Sequence, residues 1–140
     1  MTINDIKADI IEEFAMFDNW EDRYQYMIDL GKTLPLIDPT YKTEDHIIKG
    51  CQSKVWVHAD MKDNKVEFTA DSDAIITKGI IAILIRVFSN QHPTAIIEAD
   101  TDFIDKIGLK EHLSPTRANG LVSMIKQLKM YAIAYQTQLN

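Results

Sequence analysis

The sequence predicts an α+β fold, a small antiparallel sheet of about three strands packed against helices. Three observations carry this. Apolar residues recur at helical spacing in the first thirty residues and again from residue 115 onward. Two runs between residues 55 and 70 alternate apolar and polar positions, the period of a half-buried strand. Helices, then strands, then helices is an α+β order, unlike the strand–helix alternation of a parallel sheet. With 140 residues, no repeat and no Pro/Gly/Ser-rich linker, residues 1–140 are expected to form one domain.

Ile6, Ile10, Ile11, Phe14 and Phe17 predict a first helix over about residues 3–16. Asp18 and Asn19 break it. Asn19 then caps a second helix, whose inner face carries Trp20, Tyr24, Met27 and Ile28 and which Gly31 is expected to stop. Residues 32–44 hold Pro35 and Pro39 and read as a long connector, either wrapped on the surface or functional. His46, Ile47 and Ile48 are a candidate short strand. Val55, Val57, Ala59 and Met61 alternate with Trp56, His58 and Asp60, and Val66, Phe68 and Ala70 alternate with Glu67 and Thr69. Between them, Lys62-Asp63-Asn64 supplies turn chemistry for an antiparallel hairpin.

Asp71, Ser72 and Asp73 are candidate caps for a helix over residues 74–88. Its isoleucines favour strand, but fifteen residues without a turn signal exceed one strand of a small sheet. Apolar residues on nearly every side make this helix central. Gly79 inside it costs about 1 kcal/mol relative to alanine, which points to close approach of another backbone. Residues 93–97 and 102–107 predict two short helices, the second ended by Gly108. Ser114-Pro115 starts a last helix, with Leu121, Met124, Ile125, Leu128, Ala132 and Tyr135 on one face.

Lys plus Arg number 15 against 21 Asp plus Glu, a formal charge of −6. An acidic chain has no overall attraction for nucleic acid or anionic membranes, so neither is an expected partner. The apolar window 75–88 is too short to span a bilayer and contains Lys78 and Arg86. The first residues lack the basic and apolar regions of a signal peptide. A single cysteine permits no internal disulfide and no multi-cysteine metal cluster, as suits a reducing compartment. The expectation is a cytoplasmic protein.

That cysteine, Cys51, lies in Lys49-Gly50-Cys51-Gln52-Ser53-Lys54, just before the first hairpin strand. Most free cysteines are inert small hydrophobes in a core. The competing reading is a nucleophile at a turn: Gly50 permits a tight backbone, and Lys49, Lys54, His46 and Arg117 are candidates to favour the thiolate or hold an anion. Arg117 opposes the dipole of the last helix near its start, which suggests either an ion pair or a role facing the cysteine. The four histidines show no paired metal spacing, so surface or capping roles are expected and no metal. The two tryptophans are expected in the core, and Cys51 is expected to shelter against apolar residues near Trp56.

Three blocks stand in fixed order: Gly50-Cys51-Gln52-Ser53-x-Val55-Trp56, Asp71-Ser72-Asp73-Ala74-x-x-x-Lys78-Gly79, and Leu113-Ser114-Pro115-x-Arg117-x-x-Gly120-Leu121-x-x-Met124. With Trp20, Tyr24 and Leu30-Gly31-x-x-Leu34-Pro35, they resemble the SufE family of sulfur-acceptor proteins (SufE and CsdE) from about Trp20 to Tyr131. Two departures, Ala70 where glycine is usual and Ile80 where leucine is usual, lie outside the cysteine block. The resemblance implies a SufE/NifU-like α+β fold. It also implies a sulfurtransferase-like accessory protein without a cofactor of its own. Such a protein takes persulfide sulfur from a PLP-bearing, SufS/CsdA-like cysteine desulfurase, activates that enzyme, and delivers the sulfur to an iron–sulfur scaffold complex. The acceptor cysteine then falls on Cys51 and the family arginine on Arg117. Lys49, Gly50, Gln52, Ser53 and Lys54 become supporting or partner-binding residues, and a homodimer is compatible with the family. Lack of a second thiol favours retaining the sulfur, because a neighbouring thiol would release it while closing a disulfide. Two other readings of Cys51 remain open at this level: a Cys–His hydrolase or transferase using His46 or His58, and a non-catalytic interaction module.

Overall fold

The computed structural model describes residues 1–139. Helix α1 (Ile3–Ala15) starts at Thr2, whose hydroxyl accepts from the Asp5 amide while the Asp5 carboxylate accepts from the Thr2 amide. Helix α2 (Trp20–Gly31) starts at Asn19, whose side-chain oxygen accepts from the Asp22 amide at 2.8 Å. The second start lies where the capping chemistry of the sequence placed it.

Strands β1 (Val55–Lys62) and β2 (Lys65–Ser72) form the antiparallel hairpin, with Val57 opposite Ala70, Ala59 opposite Phe68 and Met61 opposite Val66. Its two-residue turn places Asp63 (φ 53°) and Asn64 (φ 62°) in the left-handed region. Aspartate and asparagine tolerate this conformation, and its twist matches that of the strands. Val55, Val57, Ala59, Val66, Phe68 and Ala70 are buried on one face.

The sheet has two strands, fewer than the sequence suggested. His46-Ile47-Ile48 contributes only a bridge from Ile47 to Trp56 and the Ile48 amide bonded to the Val55 carbonyl, because residues 44–46 turn as a 3-10 helix instead of extending. Both hairpin edges are nevertheless largely covered. On β2, the Ala70 amide donates to the Pro35 carbonyl, the Ile37 amide donates to the Ala70 carbonyl, and Val66 exchanges bonds with Asn90 and Gln91. On β1, the hydroxyls of Tyr131 and Tyr135 donate to the carbonyls of Val57 and Ala59 at 3.3 and 2.7 Å. These contacts cover much of both edges and so blunt the template that would pair with another chain.

The connector 32–44 wraps the outer face of the hairpin. Lys42 Nζ lies 4.7 Å from the centre of the Trp56 ring, and Tyr41 stacks on His58 with ring centres 3.7 Å apart. Trp56 is therefore half-buried on the outer face and is not a core residue.

Helix α3 (Ile75–Phe88) is the hub, packed on β2, on α2 and on the final helix, α7 (Pro115–Gln138). Its start differs from expectation. Strand β2 runs through Ser72, the Asp73 carboxylate is engaged by the Lys54 amide, and Ala74 occupies the cap position without a side-chain bond. Gly79 does mark a close crossing: a Cβ there would lie 2.5 Å from the Met27 carbonyl oxygen. Gly31 belongs to the same crossing, since its Cβ would lie 3.0 Å from the Gly79 nitrogen. Gly31 is the last helical residue of α2 and serves packing, where the sequence suggested only a stop. The charged residues of α3 reach outward: Arg86 pairs bidentately with Glu13, and Lys78 lies 3.3 Å from Asp71.

Three short helices follow: α4 (Pro93–Glu98), α5 (Asp102–Lys106) and α6 (Leu109–His112), the last not anticipated. Gly108 has φ 78° and makes the reversal between α5 and α6. Among the described residues no helix is long and apolar enough to cross a membrane.

Candidate functional site

The site is built where the loop before β1 meets α3 and α7. Gly50 has φ 98°, a left-handed conformation that a side chain disfavours. A Cβ at Gly50 would also collide with Ser123 Oγ on α7. Glycine at position 50 thus lets the loop lie flat on the helix. The far side of the loop is pinned to the start of α3. The Lys54 amide donates to the Asp73 carboxylate at 3.0 Å, and the Lys54 carbonyl accepts from the Asp73 amide and the Ser72 hydroxyl.

Between these anchors Cys51 turns inward, half-buried. Its Sγ lies 3.6 Å from the Gly120 carbonyl oxygen, to which the thiol donates. A helix normally shields that carbonyl behind side chains. Gly120 exposes it: a Cβ at Gly120 would sit 3.4 Å from Cys51 Sγ, so the absent side chain is the space the thiol occupies. The pocket around the sulfur encloses about 70 Å³ and is lined by Gln52 and Ser53, by Thr77 and Ile80 of α3, and by Thr116, Arg117, Gly120 and Met124 of α7.

Burial pushes the Cys51 thiol above its ordinary value of 9.0, with no opposing contribution from a cation. Charge assistance from Lys49, Lys54, His46 and Arg117 at the resting thiol was a reasonable expectation that this geometry does not realise. Lys49 and Lys54 are exposed and do not line the pocket; Lys49 faces an adjoining hollow with Ser123 and Lys126. Arg117 does line it, held by an Nη1 bond to the Tyr24 hydroxyl at 3.1 Å, and among the described residues it forms no ion pair. His46 and His58 lie together on the outer face of the hairpin, and no histidine lines the cysteine pocket. The pairing that a Cys–His hydrolase needs is missing. Shelter for the sulfur comes from Ile80, Gly120 and Met124, and not from the neighbourhood of Trp56.

Sequence reasoning did not single out Thr77, Ser123 or Gly120 as site residues. Gly120 carried a signal, because a glycine inside a long helix costs about 1 kcal/mol and asks for a reason. Thr77 and Ser123 carried none.

The site defines a class: an α+β domain presenting one sheltered thiol, with no histidine, second cysteine or carboxylate among the described residues that line the pocket at the sulfur. Residues 8–132 match the SufE family, described as the Fe-S metabolism associated domain, and the chain belongs to that family. It is 45% identical over 128 residues to an uncharacterized SufE-like protein of Rhizobium meliloti (strain 1021), covering 88% of this chain and 91% of that one. It is 37% identical over 129 residues to an uncharacterized SufE-like protein of Synechocystis sp., covering 92% and 81%. A solution structure of a hypothetical protein from Thermus thermophilus shares the fold, with a TM-score of 0.79 over 94% of this chain and 96% of that chain at 24% identity. Family membership associates this chain with iron–sulfur metabolism.

Proposed function

We propose that the protein accepts persulfide sulfur on Cys51 from a PLP-dependent cysteine desulfurase and passes it on for iron–sulfur cluster assembly. One observation carries the reading: the only thiol of the chain sits in a pocket floored by Gly120, protected yet at the surface. In the step, Cys51 sulfur attacks the outer sulfur of the donor persulfide. The new S–S bond forms as the donor S–S bond breaks, and the donor leaves as a thiol carrying the proton that Cys51 loses. The transferred sulfur keeps its oxidation state, so no external oxidant or reductant is required.

Burial keeps the resting thiol protonated, which limits its reactivity toward small electrophiles. Docking of the desulfurase opens the half-buried site so that the thiolate can reach the donor persulfide. Lys49, Lys54 and Arg117 border the loop and form part of the docking surface, and charge reversal at these positions weakens desulfurase affinity. Gln52 and Ser53 shape the pocket rim.

The test is mass spectrometry after incubation with the desulfurase and cysteine. The expected result is a gain of about 32 Da, one sulfur atom, located at Cys51 and absent from Cys51→Ser. Sulfur delivery and cluster assembly unaffected by Cys51→Ser would instead identify a non-catalytic interaction module.

A further inference from the structure

The outer face of the hairpin carries a second arrangement of ligand-type side chains, remote in composition from the cysteine pocket. His58 projects from β1, and His46 comes from the 3-10 turn Glu44–His46 that the connector lays over it. Their ring nitrogens converge, His58 Nδ1 lying 3.4 Å from His46 Nε2. Each ring is held from its other side. His58 Nε2 contacts the Asp60 carboxylate at 3.1 Å, and His46 Nδ1 contacts the Thr43 hydroxyl at 3.1 Å. Tyr41 stacks flat on His58, 5° from parallel, and fixes the ring plane.

We propose that His46 Nε2 and His58 Nδ1 form a two-imidazole site for a borderline divalent transition-metal ion, Zn²⁺ being the ion whose geometry fits best. Zinc–nitrogen bonds are about 2.0–2.1 Å, and two such bonds at the tetrahedral angle separate their nitrogens by about 3.3–3.4 Å. The observed separation matches that bite. A neutral pair can also share one proton across 3.4 Å, but that contact is long for a hydrogen bond and leaves the convergence of both rings without a strong interaction. The outer partners are those that metal-binding imidazoles use. With the His58 proton on Nε2 toward Asp60 and the His46 proton on Nδ1 toward Thr43, the tautomers that metal binding would select, His58 Nδ1 and His46 Nε2 are left to coordinate.

Local charge favours a cation. Asp38 and Asp60 share the surface depression with His58, and Glu44 and Asp45 precede His46 in its turn. Lys42, the nearby cation, is paired with Asp71 at 3.0 Å and lies over Trp56. Among the described residues no group of three or more His, Cys, Asp or Glu is placed around one ion, so water completes the coordination shell. That makes an open and moderate-affinity site, unlike a closed structural zinc centre. Occupancy ties the connector to the hairpin and stabilises the wrap by mass action.

The test uses the full chain carrying Cys51→Ser, so that the thiol cannot bind the ion, titrated with ZnCl₂ by calorimetry and followed by NMR of the histidine rings. One equivalent should bind, with resonances of His46 and His58 shifting and those of His92 and His112 unmoved. His46→Gln and His58→Gln should each weaken binding at least tenfold. Co²⁺ should give the visible absorption of a tetrahedral complex. Equal zinc affinity in the two glutamine variants, shifts at His92 or His112 instead, or binding seen only when Cys51 is present would overturn the proposal. A Thr43→Val, Asp60→Asn variant keeps both ligands and should bind more weakly than its parent. Undiminished binding there would contradict the roles given to the outer partners.

Discussion

If Cys51 carries sulfur as proposed, Gly120→Ala should separate the resting pocket from the sulfur-loaded one. The added methyl would lie 3.4 Å from Cys51 Sγ, 3.7 Å from its Cα and 3.8 Å from its Cβ, all ordinary contact distances. The methyl therefore fits while Cys51 carries a plain thiol. Replacing glycine inside α7 by alanine gains about 1 kcal/mol of helix propensity, and the buried methyl adds to it. For a domain of this size about 1 kcal/mol raises Tm by roughly 3–5 °C. The persulfide tells the opposite story. Its outer sulfur lies about 2.0 Å beyond Sγ, and the sheltered space is only about 70 Å³. A methyl in that space pushes the outer sulfur toward solvent. Losing about 1 kcal/mol of shelter corresponds to about fivefold faster loss of the sulfur to an added thiol. Calorimetric melting of the unloaded protein and timed mass spectrometry of the loaded protein read the two effects separately. A lower Tm would refute the contact geometry. A higher Tm with an unchanged persulfide lifetime would refute the pocket as the place where the sulfur rests.

Gly50→Ala meets both a positive φ and a clash with Ser123 Oγ. It should cost about 1–3 kcal/mol in urea unfolding and increase Cys51 alkylation by loosening the loop; wild-type stability and reactivity would contradict the fit described. Gly79→Ala gains propensity but drives a methyl to 2.5 Å from the Met27 carbonyl oxygen, a backbone atom that cannot step aside alone. A net loss of about 1–3 kcal/mol is expected, while a stabilised variant would show that the α2–α3 crossing is looser than described. The pH profile of Cys51 alkylation should have its midpoint above 9.0, since burial raises the thiol. Because that folded-state value exceeds the unfolded one, the contribution to stability is full below the ordinary thiol pKa and fades as pH climbs through the raised value. A midpoint at or below 9.0 would show that a cation, and not desolvation, governs the thiol. At the acid end, Arg86 and then the Tyr26 hydroxyl hold the Glu13 carboxyl below its ordinary range against its partial burial. That contribution is present above the ordinary carboxylate pKa and lost as pH falls through the depressed one, so Glu13→Gln should flatten the acid limb of the stability curve.

Local chemistry was the legible part. Thr2 was not singled out, yet Asn19, Ser114-Pro115, the Asp63-Asn64 turn and the alternation of residues 55–70 each placed an element within a residue or two, because the forces involved act across three or four positions. What depended on contacts distant in the chain was read less well. The Asp71-Ser72-Asp73 cluster looked like a helix cap, and two of its members instead fasten the cysteine loop through Lys54. Trp56 alternates correctly with its neighbours, but nothing local says that the connector covers the outer face and leaves it half-buried beneath Lys42.

The cysteine site shows the same division with a functional consequence. Lysines close to Cys51 in sequence invite an electrostatic account of its reactivity, yet the backbone direction set by Gly50 aims the thiol at Gly120 and leaves both lysines facing solvent. Sequence adjacency fixes composition near a group, whereas its pKa follows the groups that share its low-dielectric space. For Cys51 that space contains Ile80, Met124 and a helix carbonyl, which favour the neutral thiol, while Arg117 at its border does not lower the thiol pKa. A pocket built this way suits storage better than attack. If the persulfide occupies it, the reactive step belongs to the complex with the donor, and the pocket contributes the interval of protection between one partner and the next.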